Sequence, residues 1–209
     1  GDNFFRDISE SSGIQEENHD WTRTDIPIND HSRLAFSDIN GDGYPDIAMH
    51  SLFPNPRADI PFQHLIFLNQ GNGTFKNHSD ASGLRDVQAA FFAFADMDND
   101  GDQDLFAGLD YNLSGLNHEV YLNDGSGAFT RKDNAGIEGL PAGIANAAFA
   151  DFNQDGINDL FLGAGGTLYG QKDYLFFGNG DGTFTDETSR LENRPQQPSN
   201  GSVICDYDN

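Results

Sequence analysis

The sequence predicts an all-β chain built from a repeated unit of about 55 residues, and three observations predict it. An aspartate-rich stretch recurs at that interval, a glycine-rich element ending in Phe recurs with it, and short apolar runs lie between them. Runs of this kind bounded by Gly, Asn and Asp are typical of strands and turns, whereas the 3.6-residue pattern of amphipathic helices is scarce. A unit of this length is close to a four-stranded propeller blade.

Each unit begins with an apolar run that enters the aspartate-rich stretch, and a second apolar run leaves it. The entering runs are residues 34–36, 92–94 and 147–149, and the leaving runs are residues 46–49, 104–107 and 159–162. Phe and β-branched residues between turn-forming residues favour strands. We therefore expect two antiparallel strands joined by each aspartate-rich stretch.

The aspartate-rich stretches, here called the Asp loops, follow the pattern Asp-x-Asn/Asp-x-Asp-Gly-x-x-Asp. Oxygen ligands at positions one, three, five and nine, with the backbone carbonyl of position seven and a Gly that allows a sharp turn, predict a Ca²⁺ site. The predicted ligands are Asp38, Asn40, Asp42, Tyr44 and Asp46 in the first loop, Asp96, Asp98, Asp100, Asp102 and Asp104 in the second, Asp151, Asn153, Asp155, Ile157 and Asp159 in the third, and Asp206 and Asp208 in a partial fourth.

Two alternatives to this interpretation of the Asp loops exist. An EF-hand shares the first six positions but requires a bidentate Glu at position twelve. That position holds Met49, Ala107 and Leu162, so the EF-hand interpretation fails in all three loops. Ordinary Asx-rich turns are the other alternative. Fixed spacing in three copies favours a cation, because clustered carboxylates without one repel each other.

The second Asp loop differs from the others in its charge. It has four Asp side chains among its predicted ligands, whereas Asn40 and Asn153 replace one Asp in the first and third loops. Ligand charge tunes the affinity of Ca²⁺ sites. We therefore expect the second loop to bind Ca²⁺ most tightly, with about one ion in each complete blade and three in all.

A third apolar run, a glycine-rich turn and a fourth run complete each unit. The third runs are residues 65–68, 120–122 and 174–177, and the fourth begin at Phe75, Phe129 and Phe184. Glycine-rich turns between apolar runs predict β-hairpins. The expected boundaries are residues 1–14 for the last strand of a preceding blade, 15–83, 84–137 and 138–192 for three whole blades, and 193–209 for the first strand of a following, truncated blade.

Residues 94–106 and 120–129 resemble the FG-GAP/VCBS repeat, and residues 4–14 resemble the blade junction of the cartilage-acidic-protein-like branch. The resemblance implies a Ca²⁺-binding β-propeller, as in integrin α-subunits and bacterial surface proteins. Gly163-Ala164-Gly165 departs from the Gly-Ala-Pro of integrins. The resemblance covers essentially the whole chain and implies the fold and the metal more strongly than a function.

Three whole blades with partial blades at both ends are too few to close a ring, because closed propellers usually have four to eight blades. We expect this chain to be part of a larger propeller of about seven blades, completed by flanking segments of a longer polypeptide or by other chains. A self-sufficient propeller of 209 residues is the alternative.

Composition indicates the compartment and excludes one class of partner. The net charge of −23 excludes nucleic acid as a partner. Cys205 is the only cysteine, so no disulfide forms within the chain. Weak extracellular Ca²⁺ modules bind at roughly 10⁻⁴–10⁻³ M, and the cytosol holds too little free Ca²⁺ for such sites. We therefore expect secretion or display at the cell surface, and no apolar run is long enough to be inserted in a membrane.

The connections opposite the Asp loops vary in length and are the expected ligand face. Variable loops on a rigid scaffold often carry recognition, and aromatic side chains there can stack on sugars or anchor a protein. The candidate contacts for a protein or glycan partner are Trp21, Arg23, Phe53, Tyr111 and Tyr169. The alternative is that these aromatic residues pack over the ends of the blades.

The leading functional prediction is a calcium-stabilised extracellular propeller that serves in binding, adhesion or assembly. A propeller of a polysaccharide-active enzyme and a structural subunit of a surface filament or matrix are the alternatives. No nucleophile elbow, zinc signature or phosphate loop occurs, and no catalytic residue is predicted. His64 and His118 occupy equivalent repeat positions, where the third unit has Asp173, which favours a structural role.

Overall fold

A computed structural model of the chain describes residues 6–14, 33–52, 63–109, 116–165, 172–191, 199, 201–202 and 204–205. Within these ranges the strands form three four-stranded antiparallel sheets. The sheets consist of β1 (Leu34–Ser37), β2 (Asp46–Leu52), β3 (Gln63–Asn69) and β4 (Phe75–Asn77); β5 (Phe91–Ala95), β6 (Asp104–Gly108), β7 (Glu119–Asn123) and β8 (Phe129–Lys132); and β9 (Ile144–Ala150), β10 (Asp159–Ala164), β11 (Tyr174–Gly178) and β12 (Phe184–Asp186). The all-β prediction of four-stranded blades is confirmed.

Strand order follows chain order in every sheet, so each blade is a simple meander. The last residue of the first strand pairs with the ninth residue of the Asp loop, as in Ser37 with Asp46 and Ala95 with Asp104. Each Asp loop therefore closes the end of a strand pair, and the β3–β4 type of hairpin lies at the same end. The other connections lie at the opposite end.

Helical structure is limited to short turns in the described ranges. Helix α1 spans Ser9–Ser12 and ends at Gly13, and a 3₁₀ turn spans Thr188–Arg190. Residues 1–14 are predicted to hold the last strand of a preceding blade; the described part of that segment holds α1, and residues 1–5 lie outside the description. None of the described helices has the length and apolar character to cross a membrane.

Two apolar cores lie between successive sheets, one on each side of the second sheet. The first joins residues such as Ala48 and Ile66 to Leu105 and Tyr121, and the second includes Phe106 and Phe176. The first strands of successive sheets, β1 with β5 and β5 with β9, also contact each other. The sheets therefore stack face to face as propeller blades do, and each fully buried Phe or Leu stabilises this stacking by about 1.5–3 kcal/mol.

Three glycines, Gly13 after α1, Gly83 after β4 and Gly136 after β8, each lie against the blade that follows them. These glycines have positive φ, and a Cβ on them would lie close to the carbonyl oxygen of the Phe that begins the fourth strand of the next blade. The pairs are Gly13 with Phe75 (2.6 Å), Gly83 with Phe129 (3.2 Å) and Gly136 with Phe184 (2.1 Å). The N–H of Phe129 donates to the carbonyl of Ser82, and that of Phe184 donates to the carbonyl of Ala135, at 3.0 and 2.8 Å. Glycine is required here because two backbones approach closely.

The segment after the third blade is hydrogen-bonded to the third sheet at its described residues. The N–H of Ser199 donates to the carbonyl of Ala164 (2.8 Å), and Asn146 Nδ2 donates to the carbonyl of Ser199 (2.6 Å). Ser202 Oγ donates to Asn146 Oδ1 (2.6 Å). These bonds place the start of this segment along the third sheet.

Candidate metal centre

The first Asp of each of the three complete Asp loops holds the loop in its turn. Its carboxylate accepts hydrogen bonds from the N–H groups of positions five and six, at 3.0 and 2.8 Å for Asp38, 3.2 and 3.1 Å for Asp96, and 3.0 and 2.8 Å for Asp151. The fifth residue in turn accepts from the N–H of position seven in each loop. The carboxylates at positions one and five therefore hold each of these loops in a tight turn through hydrogen bonds to its own backbone.

The ninth Asp links each Asp loop to the rest of its blade. Asp46, Asp104 and Asp159 are all 0% exposed. Each accepts one bond from the N–H of position two and one from an N–H at the end of the third strand. The distances are 2.8 and 2.7 Å for Asp46, 2.8 and 2.9 Å for Asp104, and 2.8 and 2.9 Å for Asp159. The sequence predicts this residue only as a ligand, and its structural role was missed.

Position three separates the second Asp loop from the other two. Asn40 and Asn153 donate their Nδ2 groups to Asp42 and Asp155 at 3.0 and 2.8 Å. Asp98 has no such donor, and its Oδ1 is buried without a hydrogen-bond partner, the one side-chain atom of this kind among the described residues. A buried oxygen without a donor is costly, and a bound cation would satisfy it.

The second Asp loop gathers three carboxylates that could hold a metal ion. Oxygens of Asp96, Asp98 and Asp104 all lie within 4.8 Å of one another, and the described parts of the chain contain no second acidic or histidine group of this kind. Burial raises the pKa of Asp98, with a further contribution from Asp100. Burial also raises the pKa of Asp104 to about 6. The raised pKa values mean that these carboxyl groups ionise less readily when no positive charge is nearby. A hard cation would supply that charge and is the kind of ion that carboxylate oxygens bind.

The first and third Asp loops have a weaker version of the same electrostatics. Burial is the main cause that raises the pKa of Asp46 and of Asp159, and nearby Asp42 and Asp155 add to it. Three acidic groups are present in each loop, but they are not drawn together as closely as in the second. The structure thus singles out the second loop, as its sequence does.

Position seven has a packing role that the sequence did not predict. Its side chain covers the first glycine of the β3–β4 type of hairpin in the same blade. A Cβ on that glycine would lie 2.6 Å from the ring of Tyr44 at Gly71, 2.5 Å from Asp102 Oδ2 at Gly125, and 3.1 Å from Ile157 Cδ1 at Gly180. Because the contact needs only bulk, unrelated side chains can occupy the position.

The Asp loops are also bonded to the following blade. Asn123 Nδ2 donates to the carbonyl of Ile39 at 2.7 Å, and Asn158 Nδ2 donates to the carbonyl of Asp96 at 2.9 Å. The N–H of Gly182 donates to the carbonyl of Met97 at 3.1 Å. A change in the conformation of one of these loops would therefore alter its hydrogen bonds to the next sheet.

A pH dependence of stability is expected from Asp104. Its folded pKa of about 6 lies above the ordinary 3.8, so the metal-free folded protein binds this proton more tightly than the unfolded chain. The protonated carboxyl group of Asp104 contributes to the free energy of unfolding fully below the unfolded pKa. This contribution, about 3 kcal/mol, is lost as pH rises through the folded pKa. Urea unfolding in metal-free buffer between pH 4 and 7 should show this fall relative to Asp104→Asn. An equal slope in both proteins would contradict the prediction.

The equivalent residues before the third strands have structural contacts. His64 Nε2 contacts the carbonyl of Val87 at 2.9 Å, and His118 Nδ1 accepts from the N–H of Leu109 at 3.1 Å. Asp173 Oδ1 accepts from the N–H of Ala164 at 2.9 Å. Burial lowers the pKa of His118, which keeps the ring neutral. These contacts support the structural role expected from the repeat.

The predicted ligand face lies largely outside the described residues, as does the partial fourth Asp loop. The residues concerned are Trp21, Arg23, Phe53, Tyr111, Tyr169, Asp206 and Asp208. One cavity of about 500 Å³ lies at the strand ends opposite the Asp loops, between the first and second blades. Its lining is polar and includes Asp86, Gln88, Asn117 and Glu119. Glu119 is held by the hydroxyl of Tyr121 at 2.6 Å and by Arg131 at 3.2 Å.

Comparison with known proteins identifies the repeat. The profile described as FG-GAP-like repeat matches residues 63–107, 113–162 and 151–209, which is more than half of the chain. The chain is also similar to a T-cell immunomodulatory protein homolog of Plasmodium yoelii yoelii, with 31% identity over 141 residues. That alignment covers 60% of this chain and 19% of the relative, so the chain spans about a fifth of the relative's length. The resemblance to FG-GAP repeats is confirmed.

Proposed function

Because the chain belongs to the FG-GAP-like repeat family, we propose that it serves as a calcium-stabilised, extracellular propeller module for binding, adhesion or assembly. The observation that carries the proposal is the second Asp loop, where three carboxylates converge and a buried Asp98 oxygen has no donor. Side-chain oxygens only, without nitrogen or sulfur, favour Ca²⁺ over transition metals.

Three ions, one in each complete blade, form part of this proposal. Asp96, Asp98, Asp100 and Asp104 would hold the ion in the second loop, and the corresponding residues would do so in the first and third. The ion supplies positive charge that offsets repulsion among the carboxylates. At about ten times its dissociation constant, each bound ion adds about 1.4 kcal/mol to the free energy of unfolding.

An extracellular location is supported by the same chemistry. Cys205 is the only cysteine, so no disulfide forms within the chain. Outside the cell, the protein would therefore depend on bound metal for added stability. Sites of the weak extracellular class fill at the millimolar Ca²⁺ outside cells. The name of the Plasmodium relative, an immunomodulatory protein homolog, agrees with a module that acts through recognition.

The second Asp loop should lose affinity when Asp98 becomes Asn. Asp98→Asn removes a charged ligand, and we expect Ca²⁺ to bind that loop about tenfold more weakly. The new amide can donate to Asp100 as Asn40 donates to Asp42, so the metal-free protein should become more stable. Calorimetric titration and thermal unfolding with and without chelator measure both effects. Asp133→Asn, which removes one exposed charge from the same blade, is the matched control.

The reciprocal variant tests the same reasoning in the third loop. Asn153→Asp gives that loop four Asp side chains, so its Ca²⁺ affinity should rise while its metal-free stability falls. If Asp98→Asn and Asn153→Asp leave calcium binding unchanged, the Asp loops are turns and not cation sites, and the calcium part of the proposal is wrong.

A protein or glycan partner on the end opposite the Asp loops is the second part of the proposal. The polar cavity between the first two blades supports it, because acidic and amide groups there can bond to hydroxyl or amide groups of a partner. Binding to arrayed glycans and extracellular proteins, measured with and without Ca²⁺, tests this part independently of metal affinity.

Completion of the propeller by further blades is the third part. Apolar side chains that are covered between the described blades are exposed at both ends of the blade array. This observation also favours the second candidate function, a structural subunit of a filament or matrix.

A further inference from the structure

His118 is a buried titratable side chain at the junction between the second and third blades. It lies immediately before β7 and is 4% exposed. Its ring stacks on Phe106 with 5.8 Å between the ring centroids, and Phe106 belongs to the core between the second and third sheets. Its hydrogen-bond partner Leu109 follows β6 at the end opposite the Asp loop, so His118 takes no part in the candidate metal centre.

Two hydrogen bonds fix the protonation of the ring of His118. Nδ1 accepts from the N–H of Leu109 at 3.1 Å, so this nitrogen carries no proton. Nε2 lies 3.3 Å from the carbonyl oxygen of Pro141, which can only accept, so Nε2 is the donor. The neutral ring with its proton on Nε2 satisfies both partners.

The two partners of His118 lie on both sides of the blade junction. Pro141 belongs to residues 141–144, here called the entry segment, which leads into the first strand of the third blade. The carbonyl of Leu109 accepts from the N–H groups of Gly143 and Ile144 at 3.1 and 3.0 Å. Ile144 begins β9 and is 0% exposed. His118 therefore holds the entry segment directly through Pro141 and indirectly through Leu109.

The third blade makes the same link with a different side chain. Asp173 Oδ1 accepts from the N–H of Ala164 at 2.9 Å, and Asp173 Oδ2 accepts from the hydroxyl of Ser199 at 3.0 Å. Ala164 is the equivalent of Leu109, and Ser199 lies on the segment after the third blade as Pro141 lies on the segment after the second. The link therefore recurs in the fold, whereas its response to pH depends on which side chain makes it.

A second proton on the ring of His118 would break this arrangement. It can be placed only on Nδ1, where it would face the N–H of Leu109, so two donors would meet and the bond would be lost. The ring would also carry a charge in a buried site. Burial accordingly lowers the pKa of His118 from 6.5, although the bond to Pro141 raises it.

The described side chains around His118 offer the protonated ring no counter-charge. Among the described residues, no charged side chain contributes to the pKa of His118. The charged groups on the surrounding elements have other partners or positions: Glu119 on β7 bonds to Tyr121 and Arg131, Arg85 and Asp86 line the cavity with Glu119, Glu138 accepts from Gly136, Arg33 lies over Phe91 and donates to Ala145, Asp173 bonds to Ala164 and Ser199, and Asp104 lies at the far end of β6.

We propose that His118 is an acid-sensitive latch, which holds the entry segment of the third blade when its ring is neutral and releases it when its ring is protonated. The proposal goes beyond the function proposed above and does not depend on a bound cation. The expected consequence is a loosening of the second and third blades at the end opposite the Asp loops, where a partner is proposed to bind.

The lowered pKa of His118 gives the direction of the pH dependence. The contribution of the latch to stability is fully present above 6.5, the ordinary pKa of the ring, and is lost as pH falls below that value towards the folded pKa. Asp104 acts in the opposite direction, since its contribution is lost as pH rises. Loss of stability at this junction on acidification therefore does not come from Asp104.

Amide hydrogen exchange of the full chain, followed by NMR between about pH 7 and about pH 5, tests the proposal. The protection factor corrects for the intrinsic pH dependence of exchange. It should fall for the amides of Leu109, Gly143 and Ile144 by up to about tenfold for each pH unit below 6.5. Ala164 is the internal control, because its N–H is bonded to Asp173 and not to a histidine, and its protection should not fall in parallel.

His118→Asn should abolish the fall in protection. The amide oxygen of Asn can accept from the N–H of Leu109 as the carboxylate does at the equivalent position of the third blade, and an amide does not titrate. His78→Asn is the matched control. His78 Nε2 contacts the carbonyl oxygen of Gly127 at 3.2 Å, an acceptor that suits a neutral or a protonated ring, so this variant should keep the wild-type fall.

Three results would overturn the proposal: protection at Leu109 that stays constant, protection that falls in parallel with that of Ala164, or a fall that persists in His118→Asn. If that variant does not fold, the wild-type profile and the ring nitrogen chemical shifts of His118 decide. A proton on Nδ1 at neutral pH contradicts the latch, whereas a proton on Nε2 together with the expected fall supports it.

Discussion

Replacing Asp104 with Ala is expected to lower the free energy of unfolding by about 3–5 kcal/mol, even in the absence of Ca²⁺. Asp104 accepts hydrogen bonds from the N–H groups of Met97 and Asn123 and is 0% exposed. Without the carboxylate, both N–H groups lose their acceptor in a buried site. Each unsatisfied group of this kind costs about 1–3 kcal/mol. The cavity left by the side chain adds to that cost.

Urea denaturation in chelator at about pH 5, below the folded pKa of about 6, measures this effect apart from metal binding and from the cost of ionising the buried carboxyl group of Asp104. Asp100→Ala is the matched control, because Asp100 is a predicted ligand in the same loop but is exposed and accepts from the nearby N–H of Asp102, not from a distant strand. It should cost less than about 1 kcal/mol. Equal losses for the two variants in chelator would show that the buried bonds of Asp104 do not stabilise the fold.

Replacing Gly136 with Ala is expected to destabilise the junction between the second and third blades by about 3 kcal/mol or more. Gly136 has a φ of +83°, and an added Cβ would lie 2.1 Å from the carbonyl oxygen of Phe184. The left-handed conformation alone costs a non-glycine residue about 1–2 kcal/mol. The rest arises because the methyl group must push apart two backbones that are hydrogen-bonded through Ala135 and Phe184.

Gly139 provides a close control for this junction variant. It has a φ of +79° and nothing within 4 Å of a Cβ position, so Gly139→Ala carries only the conformational cost. The difference between the two free energies of unfolding then reports the contact with the next blade. Gly83→Ala, with its Cβ 3.2 Å from the carbonyl oxygen of Phe129, should fall between them. A Gly136 variant no worse than the Gly139 variant would contradict this account of the junction.

The blade architecture could be predicted from the sequence because each strand is bounded by a repeated marker. The Asp loop precedes Asp46–Leu52, Asp104–Gly108 and Asp159–Ala164, and the hairpin Phe begins the fourth strand in all three sheets. Recurrence compensates for the shortness of individual strands, which are otherwise ambiguous in a single copy. The greater negative charge of the second Asp loop could also be predicted, since position three is Asp98 there and Asn40 or Asn153 in the other two loops.

Contacts between distant parts of the chain could not be predicted in this way. The bonds of Asp46 to Ile39 and Asn69 depend on where the third strand ends relative to the loop. The role of Gly136 depends on the approach of the next blade. A sequence pattern gives the residue types within a unit, whereas these roles arise from packing between strands and between units.

The bonds from each Asp loop to the following blade have a thermodynamic consequence. Asn123 donates to the carbonyl of Ile39, so binding of the proposed cation to the first loop and docking of the second sheet would share one free energy of coupling. Such coupling is reciprocal. A firmly docked sheet would raise the cation affinity of the loop before it by the same factor by which the cation would favour docking. The affinity of a loop would then depend on the blade that follows it as well as on its own ligands.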